Sequence, residues 1–428
     1  MNKENIIKSE LDDIMELIAN NSFKIQQVKY YSPFLKSVSY NSRKELTRPR
    51  VCIYPNCKSL SVKRSHSIAK SNSLKTIADK GHLLQPVFND FGNTFKLSME
   101  SIGINNASTF PGFCKKHKKL FQPFESQQNF NEDEFIQLQA YRAICREIVF
   151  LDIEIEIINK TINEYRNKIE DEALSLLTKN LRNKGITSEP QRFTFKGRDE
   201  IIYRFQNMKN NFKSRLIYLK NSAGQILHDF NNKIVEGERK TVSYGVSVDY
   251  KIPISLCGYT ALAYGEKSNK MLFATNIIPM ENSTYVFCFS DREHNELFHK
   301  IVGYYFQSPL TILSFVESFM IHNCDHWFIN PSYWNTFSKQ KQEMILAEIL
   351  NMDKLITDEF EYSIFDDIRK KVLSEYEKHK DELSEVDYLV INKEKNKLTN
   401  LKSYVPPTEN QLIESMEKYW NNKLINYN

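Results

Sequence analysis

The apolar residues Tyr141, Ile144, Ile148, Leu151, Ile155, Ile158, Ile162, Tyr165 and Ile169 follow one another at alternating steps of three and four. That 3.5-residue period keeps one helix face turned toward a partner helix, so the stretch is constrained to wind along another helix. A second stripe, with Ile201, Phe205, Met208, Phe212, Leu219, Ile226 and Phe230, resumes near Lys196 after Gly185 and Pro190. Gly and Pro are where helices stop. The expectation for residues 131–237 is therefore a long antiparallel, coiled-coil-like helical hairpin. Each arm would reach roughly 60 Å at 1.5 Å per residue. Such an arm serves as a spacer or as a surface for homo-oligomer formation.

The flanking sequence has a different texture. Residues 1–22 carry Ile6, Ile7, Leu11, Ile14, Met15 and Ile18 on one helical face,. Residues 1–49 thus read as an N-terminal helix with an irregular lead-in. Residues 238–352 begin with TVSYGVSVDYKIPISLCGYTALAY, followed by MLFATNIIP and STYVFCFS. These runs rich in Val, Ile, Tyr and Phe predict strands, and helices are expected around 291–306, 309–321 and 338–352. Residues 353–428 are expected to be mostly helical, with a helix over 407–424. The chain is 428 residues long, which suits two or three cores. The expected class is α+β and multidomain, with a zinc module at 50–130, the hairpin at 131–237 and an α+β domain at 238–352.

Charge and cysteine usage narrow the setting. The formal net charge is +5, from 58 basic and 53 acidic residues. This mild excess permits contact with nucleic acid without requiring it. No basic-then-apolar leader opens the chain and no apolar run is long enough for a membrane span, so a cytoplasmic protein with no membrane partner is expected. Seven cysteines in such a setting point to metal binding rather than disulfides.

The chemically informative block is 50–126. Cys52 and Cys57 flank Ile-Tyr-Pro-Asn, a spacing that forms a metal knuckle,. Cys114 and His117 stand three apart at the start of an expected helix, so both side chains share a face. Together the pairs form a Cys3His set, which suits four-coordinate structural Zn²⁺. A short helix is expected over 71–79, and strands near 82–88 and 94–99. Lys63, Arg64, Lys70, Lys115 and Lys116 crowd the same block, with Lys75, Lys118 and Lys119 nearby. They are candidate nucleic-acid contacts, or a solvated lysine surface.

In order along the chain, Cys52…Cys57, Arg64-Ser65-His66-Ser67-Ile68, and Cys114…His117 followed by Phe121 and Glu125 resemble HNH-like treble-clef modules. The resemblance spans about 75 residues. It implies an endonuclease that acts on nucleic acid, DNA rather than RNA, and by general association on foreign DNA. It assigns the general-base role to His66 and a Mg²⁺ or Mn²⁺ ion to the catalytic site. One position departs from the pattern: Lys118 stands where that family places a residue that helps hold the catalytic ion. Glu125, Asp79, Asp90 and His82 are the candidates to replace it. The alternative is a non-catalytic, zinc-stabilised protein that binds nucleic acid or another protein.

Elsewhere the signals are thinner. His322, Cys324 and His326 alternate at period two, which offers either a second metal site or a partly buried strand running into Trp327, the latter being preferred. Cys145, Cys257 and Cys288 read as packing residues. No dinucleotide, Walker, nucleophile-elbow or zincin motif occurs.

Overall fold

The computed structural model describes residues 5–14, 16, 44–90, 95–127, 133–186, 200–264, 269–324, 326–351, 354, 358–408 and 410–412. The irregular lead-in over 17–43, the turn around Pro190 and most of the expected helix at 407–424 lie outside the described residues.

The described residues form a mixed helix and sheet structure. Its centre is a seven-stranded sheet built from β2 (His82–Asp90), β3 (Phe95–Gly103), β5 (Thr241–Val248), β6 (Ile254–Tyr264), β7 (Asn269–Pro279), β8 (Thr284–Asp291) and β9 (Trp327–Ile329), in the order β3-β2-β9-β6-β7-β8-β5. Every pairing is antiparallel. The three-residue β9 joins the two halves: Ile329 faces Leu84 on one side and Ile254 on the other. The sheet therefore takes strands from both the 50–130 and the 238–352 segments.

Both sheet faces are covered, and the period-2 alternation of the strands decides what each side chain meets. On β7, Leu272, Ala274 and Ile278 face one core, while Met271, Phe273 and Ile277 face the other. The first core is capped by the hairpin. The second is capped by α5 (Asn295–Tyr305), α6 (Pro309–His322) and α7 (Lys339–Leu350). The segment 353–406, within the region expected to be mostly helical, supplies α8 (Asp366–Lys378) and α9 (Glu385–Asn400), both packed on α6.

The hairpin forms from α3 (Asp133–Asn183) and α4 (Glu200–Asn231). To name these in chain order, α1 is Lys115–Lys118 and α2 is Gln122–Gln127. The seam from Tyr141 to Ile162 is buried against Phe205, Met208, Phe212, Leu219 and Ile226 of α4. Lys220 pairs with Asp152, while Lys209 feels the charge of Arg166, so the arms run antiparallel. The arms are unequal: 51 and 32 residues, or about 76 and 48 Å. The first outruns the expected length because its apolar stripe continues through Ala173, Leu177 and Leu181, which pack on Ile14 of the N-terminal helix. Gly185, at φ 75°, ends it: Ile186 N–H reaches back to Leu181 O at 2.9 Å, the left-handed cap that glycine favours. Among the described residues no helix is long and apolar enough to cross a membrane.

Candidate functional site

The two ligand pairs meet. The ligand atoms of Cys52, Cys57, Cys114 and His117 all lie within 4.8 Å of one another. Cys52 Sγ and Cys114 Sγ each lie 3.4 Å from His117 Nδ1, and Cys57 Sγ lies 3.9 Å from Cys114 Sγ. A tetrahedral ion with sulfur at about 2.3 Å and nitrogen at about 2.0–2.1 Å has ligand-to-ligand edges of roughly 3.6–3.8 Å. The donor set and its spacing fit a four-coordinate ion such as zinc.

Local structure explains why distant residues converge. Cys52 N–H bonds Ser59 O at 2.9 Å and Val51 bridges Leu60, closing a tight hairpin around the first pair. Asn56 adopts φ 61° at its tip, a conformation asparagine tolerates better than most side chains. Ile53 N–H then bonds Gly112 O at 2.9 Å, and Val62 N–H bonds Phe113 O at 2.8 Å, which clamps the first pair to the second. The Phe110 ring lies against Gly112, where a Cβ would come within 2.1 Å of it. Cys114 stands at the N-cap position of α1, and its own N–H points at Cys52 Sγ at 3.3 Å. Tyr54 stacks on the His117 imidazole, with ring centroids 3.9 Å apart, and fixes its orientation,.

Burial pushes the Cys52 thiol up to about 11, so cationic charge is needed to hold it as thiolate. Cys114 moves the other way: burial opposes the shift, but the His117 and Lys116 backbone N–H groups and the neighbouring sulfurs outweigh it. The His117 pKa is lowered by burial and by Lys116, which favours the neutral imidazole that a metal ion would need.

His66 lies beyond this cluster on β1 (Ser65–His66), paired with β4 (Thr109–Phe110). Its Nδ1 lies 2.9 Å from Ala107 O. A carbonyl only accepts, so Nδ1 carries the proton and Nε2 carries the lone pair. Among the described residues no hydrogen bond engages Nε2. Burial brings the His66 pKa down to about 4; the Ala107 bond opposes this, Lys118 and Arg142 push further down, and Glu125 pushes up. The ring is neutral at pH 7.

Its charged surroundings differ from the expectation for a divalent-ion site. Glu125, a carboxylate whose charge reaches His66, forms an ion pair with Arg142. Arg142 is itself buried, with Phe121 and Phe124 under its guanidinium and Gln139 Oε1 accepting from Nε at 3.1 Å. Asp79 and His82 have partners elsewhere. Asp79 accepts from Ser332 Oγ at 2.6 Å, His82 Nδ1 meets Lys80 O, and the side chain of Asp90 lies outside the described residues. Lys118 Nζ donates to Arg64 O at 3.3 Å, and no carboxylate pairs with it among the described residues. The described residues around His66 therefore do not fit a Mg²⁺ or Mn²⁺ ion, which needs carboxylate oxygens. Of the basic candidates, Lys63, Arg64, Lys115 and Lys116 are exposed, and Lys70 donates to Asn105 Oδ1 at 2.5 Å. The Lys118 bond sets the 63–64 and 115–118 lysine groups side by side.

Sequence pattern misses the supports of this surface. Ser67, next to His66, is fully buried; it bonds Gln139 Nε2 through its carbonyl at 2.9 Å and His326 Nε2 through its hydroxyl at 2.9 Å. Gln139 also donates to Asn276 Oδ1 on β7. The strand carrying His66 is thereby fixed to α3 and to the central sheet. Nothing in the spacing of Gln139 or Arg142 marks them out, since a polar residue beside an apolar seam usually faces water, and the period-two spacing of His326 suggests a strand or a metal site rather than its bond to Ser67. The His322–His326 run is not the expected strand. His322 ends α6, β9 begins only at Trp327, and the run forms no metal group among the described residues, because His322 turns to Asp358 O and His326 to Ser67. Cys145, Cys257 and Cys288 are buried, as packing residues should be. A second cluster, Asp291, Glu293 and His294, is drawn together at the end of β8. Its buried Asp291 already accepts from Tyr218 and, at 3.0 Å, from Ser222. Comparison with protein-family models, with curated proteins and with solved structures found no match to this chain.

Proposed function

We propose that this protein cleaves nucleic-acid phosphodiester bonds, with a structural zinc held by Cys52, Cys57, Cys114 and His117 and with His66 as the general base. The module is read as an HNH-like treble clef on its own residues: knuckle, two-stranded β1–β4 ribbon, then α1 carrying the second ligand pair. The carrying observation is the Nδ1 bond of His66 to Ala107 O, which leaves Nε2 as the proton acceptor on a rigidly supported strand. A base must present a lone pair in a fixed direction at the working pH, and a neutral, oriented imidazole does so. The zinc would contribute shape alone, holding ribbon and helix together. The exposed Lys63, Arg64, Lys115 and Lys116 would neutralise phosphates and make binding weaken with salt.

The second reading is a zinc-stabilised binding protein without catalysis. Lys118 favours it, since a cation stands where the ion-holding residue is expected. One experiment separates the two: DNA and RNA substrates are incubated with the protein and with His66→Ala, in the presence and absence of Mg²⁺ or Mn²⁺. Cleavage that disappears in His66→Ala supports the enzyme; salt-sensitive binding without cleavage under any condition supports the binder.

A further inference from the structure

We infer that Lys118 takes the place of the divalent ion, and that the substrate is RNA, cleaved through its own 2′-hydroxyl without a divalent metal. The inference rests on the reading of His66 as a base and goes beyond it by naming the nucleophile and the substrate class.

Three observations carry it. First, the Glu125 carboxylate is tied to Arg142, whose guanidinium is buried between two phenylalanine rings. Turning Glu125 toward an ion would strand a buried cation, which is costly. Second, Lys118 follows the ligand His117 directly, and its ammonium reaches only the neutral Arg64 carbonyl among the described residues. Its charge is thus available to a phosphate, which lysine binds as a point charge. Third, the carbonyl that Lys118 holds belongs to Arg64, two residues before His66, so cation and base are carried by adjoining pieces of chain.

The chemistry then selects the nucleophile. Water has a pKa of about 15.7 unless a metal binds it, so where no carboxylate is free to hold an ion, water is a poor nucleophile. A ribose hydroxyl beside the phosphorus needs less help, because proximity raises the effective concentration of an intramolecular nucleophile to roughly 10⁵–10⁸ M. In the step, His66 Nε2 takes the 2′-hydroxyl proton, the 2′-oxygen bonds to phosphorus, and the bond from phosphorus to the 5′-oxygen breaks. The departing 5′-oxygen takes a proton from water, and the hydroxide left behind takes the proton from His66. The products are a 2′,3′-cyclic phosphate and a 5′-hydroxyl. Lys118 offsets the charge on the non-bridging oxygens while phosphorus is five-coordinate. DNA lacks the 2′-hydroxyl and stays intact. The preference for DNA drawn from the motif is thereby reversed.

The test uses the full chain in buffer stripped of divalent ions by a chelating resin, with bound zinc measured before and after. Matched single-stranded RNA and DNA of one sequence are offered, and product ends are read by mass spectrometry. Expected are RNA fragments ending in cyclic phosphate, no DNA cleavage, and loss of the RNA products in His66→Ala. Lys118→Ala should slow cleavage by about 10²-fold or more at unchanged zinc content, and Lys118→Arg should restore most of the rate. Cleavage that appears only after Mg²⁺ or Mn²⁺ is added and still needs His66, or equal cleavage of DNA, overturns the inference while leaving His66 as the base. Absence of cleavage under every condition removes both.

Discussion

Two chemical centres share the N-terminal block, and they are assembled in different ways. The Cys3His cluster is self-contained: its four ligands, its clamping hydrogen bonds and the stacked Tyr54 all come from residues 51–117. The His66 surface is not. Its supports come from α3 through Gln139 and Arg142, from the central sheet through Asn276, and from the segment before β9 through His326. A metal centre needs only its ligands brought to one point. The proposed base at His66 would need a rigid surround, and its supports come from the rest of the molecule.

That contrast can be broken most severely at the metal. Cys114→Ser removes one thiolate from the cluster while serine still suits the N-cap position of α1,. Structural zinc is worth on the order of 10 kcal/mol in small domains, so the variant is expected to lose the ion and to expose residues 50–126 to limited proteolysis, while the α3–α4 hairpin keeps its helical signal. Retention of native protease resistance would show that the surrounding sheet, rather than the ion, holds the module.

A smaller effect is expected at the support of His66. Arg142→Ala leaves Glu125 without its partner and empties the space between Phe121 and Phe124. Loss of a buried ion pair costs about 3–5 kcal/mol. Because Glu125 is partly exposed, with 26% of its side chain accessible, the expected loss in chemical denaturation is about 3 kcal/mol. Metal content should be unchanged, which distinguishes this centre from the first.

The finest probe is pH. In the unfolded chain His66 protonates near its ordinary value of 6.5, whereas in the fold burial holds it to about 4. The unfolded state therefore binds the extra proton between those values, so the contribution of His66 to stability is present above pH 6.5 and fades as pH falls toward 4. The imidazole C–H resonances followed by NMR should titrate near 4, and cleavage should keep its rate down to about pH 5. A midpoint near 6.5 would mean that the ring is solvated and that the oriented-base account is wrong.

The two centres also differ in how far the chain alone reveals them. The ligands Cys52, Cys57, Cys114 and His117 are legible because metal chemistry restricts the residue types and a helix face restricts the spacing. The seam from Tyr141 to Ile162 is legible for a similar reason: period 3.5 has one structural meaning over that length. Strands β2, β3 and β5 to β8 announce themselves by composition. What stays hidden is long-range pairing. No local pattern says that the three residues of β9 bridge Leu84 to Ile254, because register is decided by which faces must be buried. The run from His322 to His326 misleads for the same reason, since its alternation resembles a strand while the segment ends a helix and turns inward to Ser67. Lys118 is visible in the sequence as a departure from the motif, but its bond to Arg64 and the capture of Glu125 by Arg142 are properties of the folded chain.

All of this presupposes that one ion organises the ribbon and helix around His66. The direct measurement is metal content of the native full-length protein, by mass spectrometry under non-denaturing conditions together with elemental analysis. The account predicts one zinc per chain, lost on acid denaturation together with the fold of residues 50–126. A native, folded chain carrying no stoichiometric metal would contradict it.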